Sequence, residues 1–178
     1  MSDVASRQQR PGTSRLEVVK PAPGAIRSPS AVLGDLRLIA PDGDADNCRS
    51  ILLAHHRRAV HQPLTAALLR QRYRVIWCSD GHAALRYLGS NRPDLVVTGM
   101  IMPNCDGLEL IRAVRGLYPA LPIMALAEES DPMSRTYLRY AVLTGASSAY
   151  TVPVNTAAFL SDLDRILSGS NRAVPSSI

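Results

Sequence analysis

The chain has 178 residues, enough for one ordinary domain with some tail and not comfortably for two. Its apolar fraction of 46% fits a globular core, which a single Phe and a single Trp leave to Leu, Val, Ile and Ala. The formal net charge of +5 resides in residues 49–178, where 14 Arg/Lys face 9 Asp/Glu, because residues 1–48 hold six of each; so modest an excess chiefly aids solubility, and nucleic-acid binding is not expected of it. No apolar run approaches the roughly 20 residues that cross a bilayer, and Met1 to Val4 do not open a signal peptide. Cys48, Cys78 and Cys105 show neither CxxC spacing nor an even-numbered framework, so reduced thiols and a cytoplasmic location are expected.

Residues 1–30 are rich in Pro, Ser, Arg and Gln and carry too little apolar surface to offset chain entropy, which predicts disorder. Within residues 31–48, the alternation Leu36-Arg37-Leu38-Ile39-Ala40 is compatible with a short strand. Asp42, Asp44 and Asp46 alternate as in a calcium loop, but Asn47 and Leu53 occupy the places of its glycine and last acid, so a solvated linker is expected. Residues 1–48 are therefore assigned to a disordered or partly ordered N-terminal extension.

From Ser50 the pattern becomes regular. Short apolar runs at 50–54, 75–78, 95–98, 122–126 and 149–152 read as strands, the first of them apolar on both faces. Between them lie helical periodicities: Leu64 to Leu69, Ala84 to Leu88, Leu108 to Leu117, Pro132 to Leu143 and a last helix with Phe159, Leu163, Ile166 and Leu167 on one side. Pro63 is expected in the first turn of its helix, and Gly145 stops the fourth. Strands alternating with helices predict an α/β fold: a five-stranded parallel sheet in a three-layer, doubly wound (βα)5 sandwich. The domain is expected to span residues 49–168, with residues 169–178 as a tail.

The stretch Pro93-Asp94-Leu95-Val96-Val97-Thr98-Gly99-Met100-Ile101-Met102-Pro103-Asn104-Cys105-Asp106-Gly107-Leu108-Glu109-Leu110 resembles the CheY-like response-regulator receiver family. Ile51 to His56, Asp80 to Leu85, Leu121-Pro122 and Gly145-Ala146 fall in matching places. The resemblance implies strand order 2-1-3-4-5, with a crevice at the carboxyl ends of the first and third strands. There the family gathers acids for Mg²⁺, an aspartate that accepts phosphate, a hydroxyl and a lysine. Position by position, this chain has His55 and His56 for the acidic pair, Gly99 for the phosphoacceptor, Ala127 for the hydroxyl and Val152, before Pro153, for the lysine. Neither phosphotransfer nor a cofactor is expected of such a pocket. Asp94 and Asp106 are read as structural.

What replaces that chemistry is left open between an empty pocket, an anion or nucleotide site, and a transition-metal site from His55, His56 and Cys105. A regular strand would turn His55 and His56 to opposite faces. The family's partner face, formed by the fourth helix, fifth strand and fifth helix, is similar in place to Arg135, Tyr137, Arg139 and Tyr140, with Ala149 or Tyr150 at the aromatic switch position. Tyr and Arg concentrate binding energy. The expectation is a degenerate receiver, not an enzyme, that acts by protein–protein contact with a regulator, kinase or transcription component, or as a homodimer.

Overall fold

Five apolar runs between Ser50 and Val152 become parallel strands because each is followed by a helix long enough to return the chain to the same end of the sheet. The computed structural model describes residues 32–33, 36–40 and 48–170. In chain order its elements are β1 (Val32–Leu33), β2 (Leu36–Ile39), β3 (Ser50–Ala54), α1 (Arg58–Arg70), β4 (Arg74–Cys78), α2 (Gly81–Leu88), β5 (Leu95–Gly99), α3 (Gly107–Leu117), β6 (Ile123–Glu128), α4 (Ser134–Thr144), β7 (Ser148–Val152) and α5 (Thr156–Ser170). The sheet order is β1-β2-β4-β3-β5-β6-β7. Its last five members are parallel and in the expected 2-1-3-4-5 order.

The first two strands depart from expectation. β2 runs antiparallel to β4, pairing Leu36 with Cys78, Arg37 with Trp77, Leu38 with Ile76 and Ile39 with Val75, and β1 pairs antiparallel with β2. The sheet therefore has seven strands, and part of the expected extension belongs to it. The physical reason is edge protection: β4 would otherwise end the sheet with a bare row of backbone donors and acceptors. The remainder of the predicted extension, the Asp42–Asp46 turn and residues 171–178 lie outside the described residues.

Side-chain alternation sorts the core into two layers. Leu52, Ala54, Val96 and Ala125 face α2, α3 and α4, where they meet Ala84, Leu88, Leu110, Ile111 and Ala141. Ile51, Leu53, Leu95 and Val97 face α1 and α5, where they meet Leu64, Leu68, Phe159 and Leu163. Each fully buried Leu or Ile contributes about 2 kcal/mol.

The helix ends carry local signals. The Asp80 carboxylate accepts from the Ala83 N–H at 2.8 Å. Asp106 and Glu109 form a reciprocal capping box on α3. Gly145 stops α4 with φ +121°, a conformation that side chains disfavour. α1 corrects the sequence reading, since Pro63 lies in its second turn rather than its first. Pro63 leaves the Ala59 carbonyl without its helical donor, and both residues are exposed, so water replaces that bond.

Candidate functional site

The carboxyl ends of β3 and β5 converge where the doubly wound topology opens a crevice. The last paired rung between them is Ala54 with Thr98. One residue further, His55 and Gly99 continue the odd-numbered runs that face α1 and α5, which places them side by side. The imidazole of His55 fills the space that a side chain at 99 would need. A Cβ built on Gly99 would lie 2.8 Å from His55 Cδ2 and 3.2 Å from Nε2, closer than carbon atoms pack.

His55 is held from several directions. Its N–H donates to the Cys78 carbonyl, and its carbonyl accepts from Trp77 Nε1 at 3.0 Å. Its Nδ1 accepts from the Arg57 N–H at 3.1 Å, which leaves the proton of the neutral ring on Nε2. The residue is only 2% exposed. Burial, reinforced by the charges of His56, His61 and Arg57, lowers its pKa to about 4. The ring is thus neutral and mostly apolar in character at physiological pH.

β3 has ended before the two histidines, so they need not alternate. Their rings lie parallel, 5.4 Å apart, with His55 inside and His56 exposed. Cys105 does not join them. It is buried against Gly81 in the layer of α2 and α3, and burial followed by the nearby Glu109 and Asp106 charges pushes its thiol up to about 11. Among the described residues no three His, Cys, Asp or Glu side chains group as a metal ion would require. The transition-metal set of His55, His56 and Cys105 is corrected accordingly: the chain carries Cys105 away in the loop before α3, where it packs against Gly81.

The other two pocket positions are apolar. Ala127 is buried with the α2–α4 layer and Val152 with the α1–α5 layer. Above them, Arg57 at the N-terminus of α1 forms an ion pair with Glu128 at the end of β6. A cleft of about 540 Å³ runs beside this pair, walled by Val60, Pro63 and Leu64 on one side and Val152 to Val154 on the other. The two acids singled out in the central stretch have structural places. Asp106 caps α3, and Asp94 accepts from Ser50 N at 2.6 Å and Ser50 Oγ at 3.0 Å, fixing the start of β3.

On the expected partner face the residues divide. Arg135, Arg139 and Tyr140 are exposed on α4, whereas Tyr137 is half-buried against the core. Ala149 packs toward α4, while Tyr150 points to the opposite layer. There its hydroxyl donates to Asp162 at 2.9 Å and its ring meets Phe159 edge-on. Tyr150 thus packs against α5, itself an element of the expected partner face. Tyr140 is 54% exposed as expected, while sequence reading missed the exposed apolar neighbours Val142 (51%) and Leu143 (72%) on α4 and Met133 (48%) at its cap. The signal was there, in an apolar pair directly before the helix stop.

A family model described as the response regulator receiver domain matches residues 51–154. The chain belongs to that family. Receivers are modules of two-component signal transduction, and response regulators work through protein partners such as kinases. The receiver is 38% identical over 85 residues to response regulator MprA of Mycobacterium tuberculosis and to that of Mycolicibacterium vanbaalenii. Those matches take in 48% of this chain and only 37% of either relative. Among solved structures it is similar to the receiver domain of a signal transduction histidine kinase from Syntrophus aciditrophicus, with TM-score 0.63 and 26% identity over 74% of this chain and 98% of that one. A receiver from Methanospirillum hungatei shares the fold, with TM-score 0.65 at 16% identity over 72% of this chain and all of that one. Among the described residues, no helix of the receiver is long and apolar enough to cross a membrane.

Proposed function

We infer that this receiver is a phosphorylation-independent pseudo-receiver that serves as a protein–protein interaction module in bacterial signalling or transcription control. The observation that carries the reading is the His55 ring packed against Gly99. Phosphotransfer needs a carboxylate nucleophile and a cation to neutralise the phosphoryl oxygens. Here the nucleophile's position has no side chain, and the space beside it is taken by a neutral imidazole. The hydroxyl and lysine positions hold Ala127 and Val152, both turned into the core.

Output then rests on a fixed surface rather than a switched one. The exposed face of α4 combines Tyr140, Val142 and Leu143 with Arg135 and Arg139, and no acid occurs in that helix. This composition suits a protein partner with an apolar centre and an acidic rim. The alternative of an anion sensor at His55 and His56 is weakened because the buried ring stays uncharged.

The direct test incubates the protein with acetyl phosphate and Mg²⁺ and reads intact mass. An unchanged mass is expected. A stable, acid-labile phosphate adduct would overturn the reading.

A further inference from the structure

A second cleft, of about 510 Å³, opens on the α1 side of the sheet between α1 and the added strand β2. Its size falls in the range of small-molecule sites, roughly 300–1,000 Å³. The cleft exists because β2 extends the sheet past β4. Arg37 pairs with Trp77 across that new edge and reaches the flank of α1. Arg58, in the first turn of α1, stands opposite. With the Gln62 amide turned to satisfy both its ends, its oxygen accepts from Arg58 Nε at 2.9 Å and Nη2 at 3.0 Å, which orients the guanidinium. The indole of Trp77 forms part of the wall, tilted against the His61 ring with centroids 4.7 Å apart.

Two lining residues are left chemically incomplete. His61 Nδ1 and Thr65 Oγ1 are both buried and have no hydrogen-bond partner, and Thr65 is only 7% exposed. A buried polar atom without a partner is costly and calls for completion by an ordered water, an ion or a small rearrangement. Among the described residues that line the cleft none is acidic. Two guanidinium groups and an aromatic wall therefore share one concave surface, with the two unpartnered polar atoms buried behind it.

We propose that this cleft binds a small anionic ligand bearing a planar ring, of the nucleoside phosphate class, with Arg37 and Arg58 taking the phosphate and Trp77 and His61 packing against the ring. Guanidinium groups suit phosphate oxygens through paired, charge-assisted donors. Indole and imidazole faces suit a base. The site borders the His55–Gly99 contact: His56, whose ring stacks on that of His55, lines the cleft, and Trp77 Nε1 donates to the His55 carbonyl. The proposal stands whether or not the receiver accepts phosphate.

Trp77 is the chain's only tryptophan, so its emission reports on this cleft alone. The full-length protein is titrated with ADP, GDP, adenosine and inorganic phosphate, following that emission and, in parallel, binding heat. Saturable change with ADP or GDP is expected, with affinity at least about tenfold tighter than for adenosine or phosphate. Arg37→Gln and Arg58→Gln, both exposed and so folding normally by circular dichroism, should each weaken binding about tenfold. No saturable change with either diphosphate would overturn the proposal. So would adenosine binding as tightly as ADP, or undiminished binding in the Arg37→Gln/Arg58→Gln double variant.

Discussion

At the scale of single residues the contact between His55 and Gly99 makes two predictions. Gly99→Ala adds a methyl group 2.8 Å from His55 Cδ2, and overpacking of this kind costs about 1–3 kcal/mol. In a His55→Ala background the same change should cost almost nothing, because the colliding ring is gone. Urea unfolding of the four proteins in the cycle measures the coupling directly; equal costs in both backgrounds would disprove the collision. The second prediction concerns protons. His55 has a folded-state pKa of about 4 against an ordinary 6.5, so the unfolded chain binds the proton more tightly. Its contribution is fully present above about pH 6.5 and is lost as the pH falls toward about 4, amounting to about 3 kcal/mol across that window. His61, lowered in the same direction by burial and by Arg58 and Arg37, adds to the slope. Unfolding midpoints at about pH 7.5 and about pH 5 should differ less in His55→Asn than in the parent protein.

At the scale of elements, the parts legible in the sequence were those with a local cause. The five parallel strands announced themselves as apolar runs, and Asp80, Asp106 and Gly145 marked helix ends by their own chemistry. Pro63 misled, because the cost of a helical proline depends on whether water reaches the abandoned carbonyl, which is a matter of burial. β2 was visible only as a weak alternation. Its membership in the sheet is decided by a distant partner, the edge of β4, and no local pattern encodes that pairing. The same edge gives the prediction at this scale. Deleting residues 1–40 should strip four rungs from β4, lower Tm by about 5 °C or more and promote self-association through the bare edge, readable by size exclusion. An unchanged Tm would mean that β2 adds no stability.

At the scale of the whole molecule, the family's architecture was recoverable from order and spacing, and the residues expected at the crevice could be listed one by one. The filling of the pocket could not. It follows from the register of β3 against β5, from the end of β3 at Ala54 and from the turn of the His55 ring, all set by tertiary packing. A partner face was expected on α4 by resemblance, yet the exposure of Val142 and Leu143 emerged only with the fold. Tyr140→Ser and Leu143→Ser lie on that exposed face, so each should leave Tm nearly unchanged. Both should weaken capture of a stoichiometric partner, or of a second copy in sedimentation, by tenfold or more for a central anchor, roughly the effect of a hot-spot residue. Full retention of binding would move the interface elsewhere.

The fit of His55 against Gly99 also shapes which mutational paths remain open to this receiver. An aspartate introduced at 99 would meet the ring before it met any phosphodonor, so that single step is penalised rather than rewarded. A smaller residue arriving first at 55 would instead leave a hole beside Gly99 and expose the Trp77 indole N–H hydrogen bond to water. Neither order passes through an improved intermediate. The contact behaves as a ratchet: with the ring seated against Gly99, a side chain at that position is far harder to introduce than the glycine is to keep.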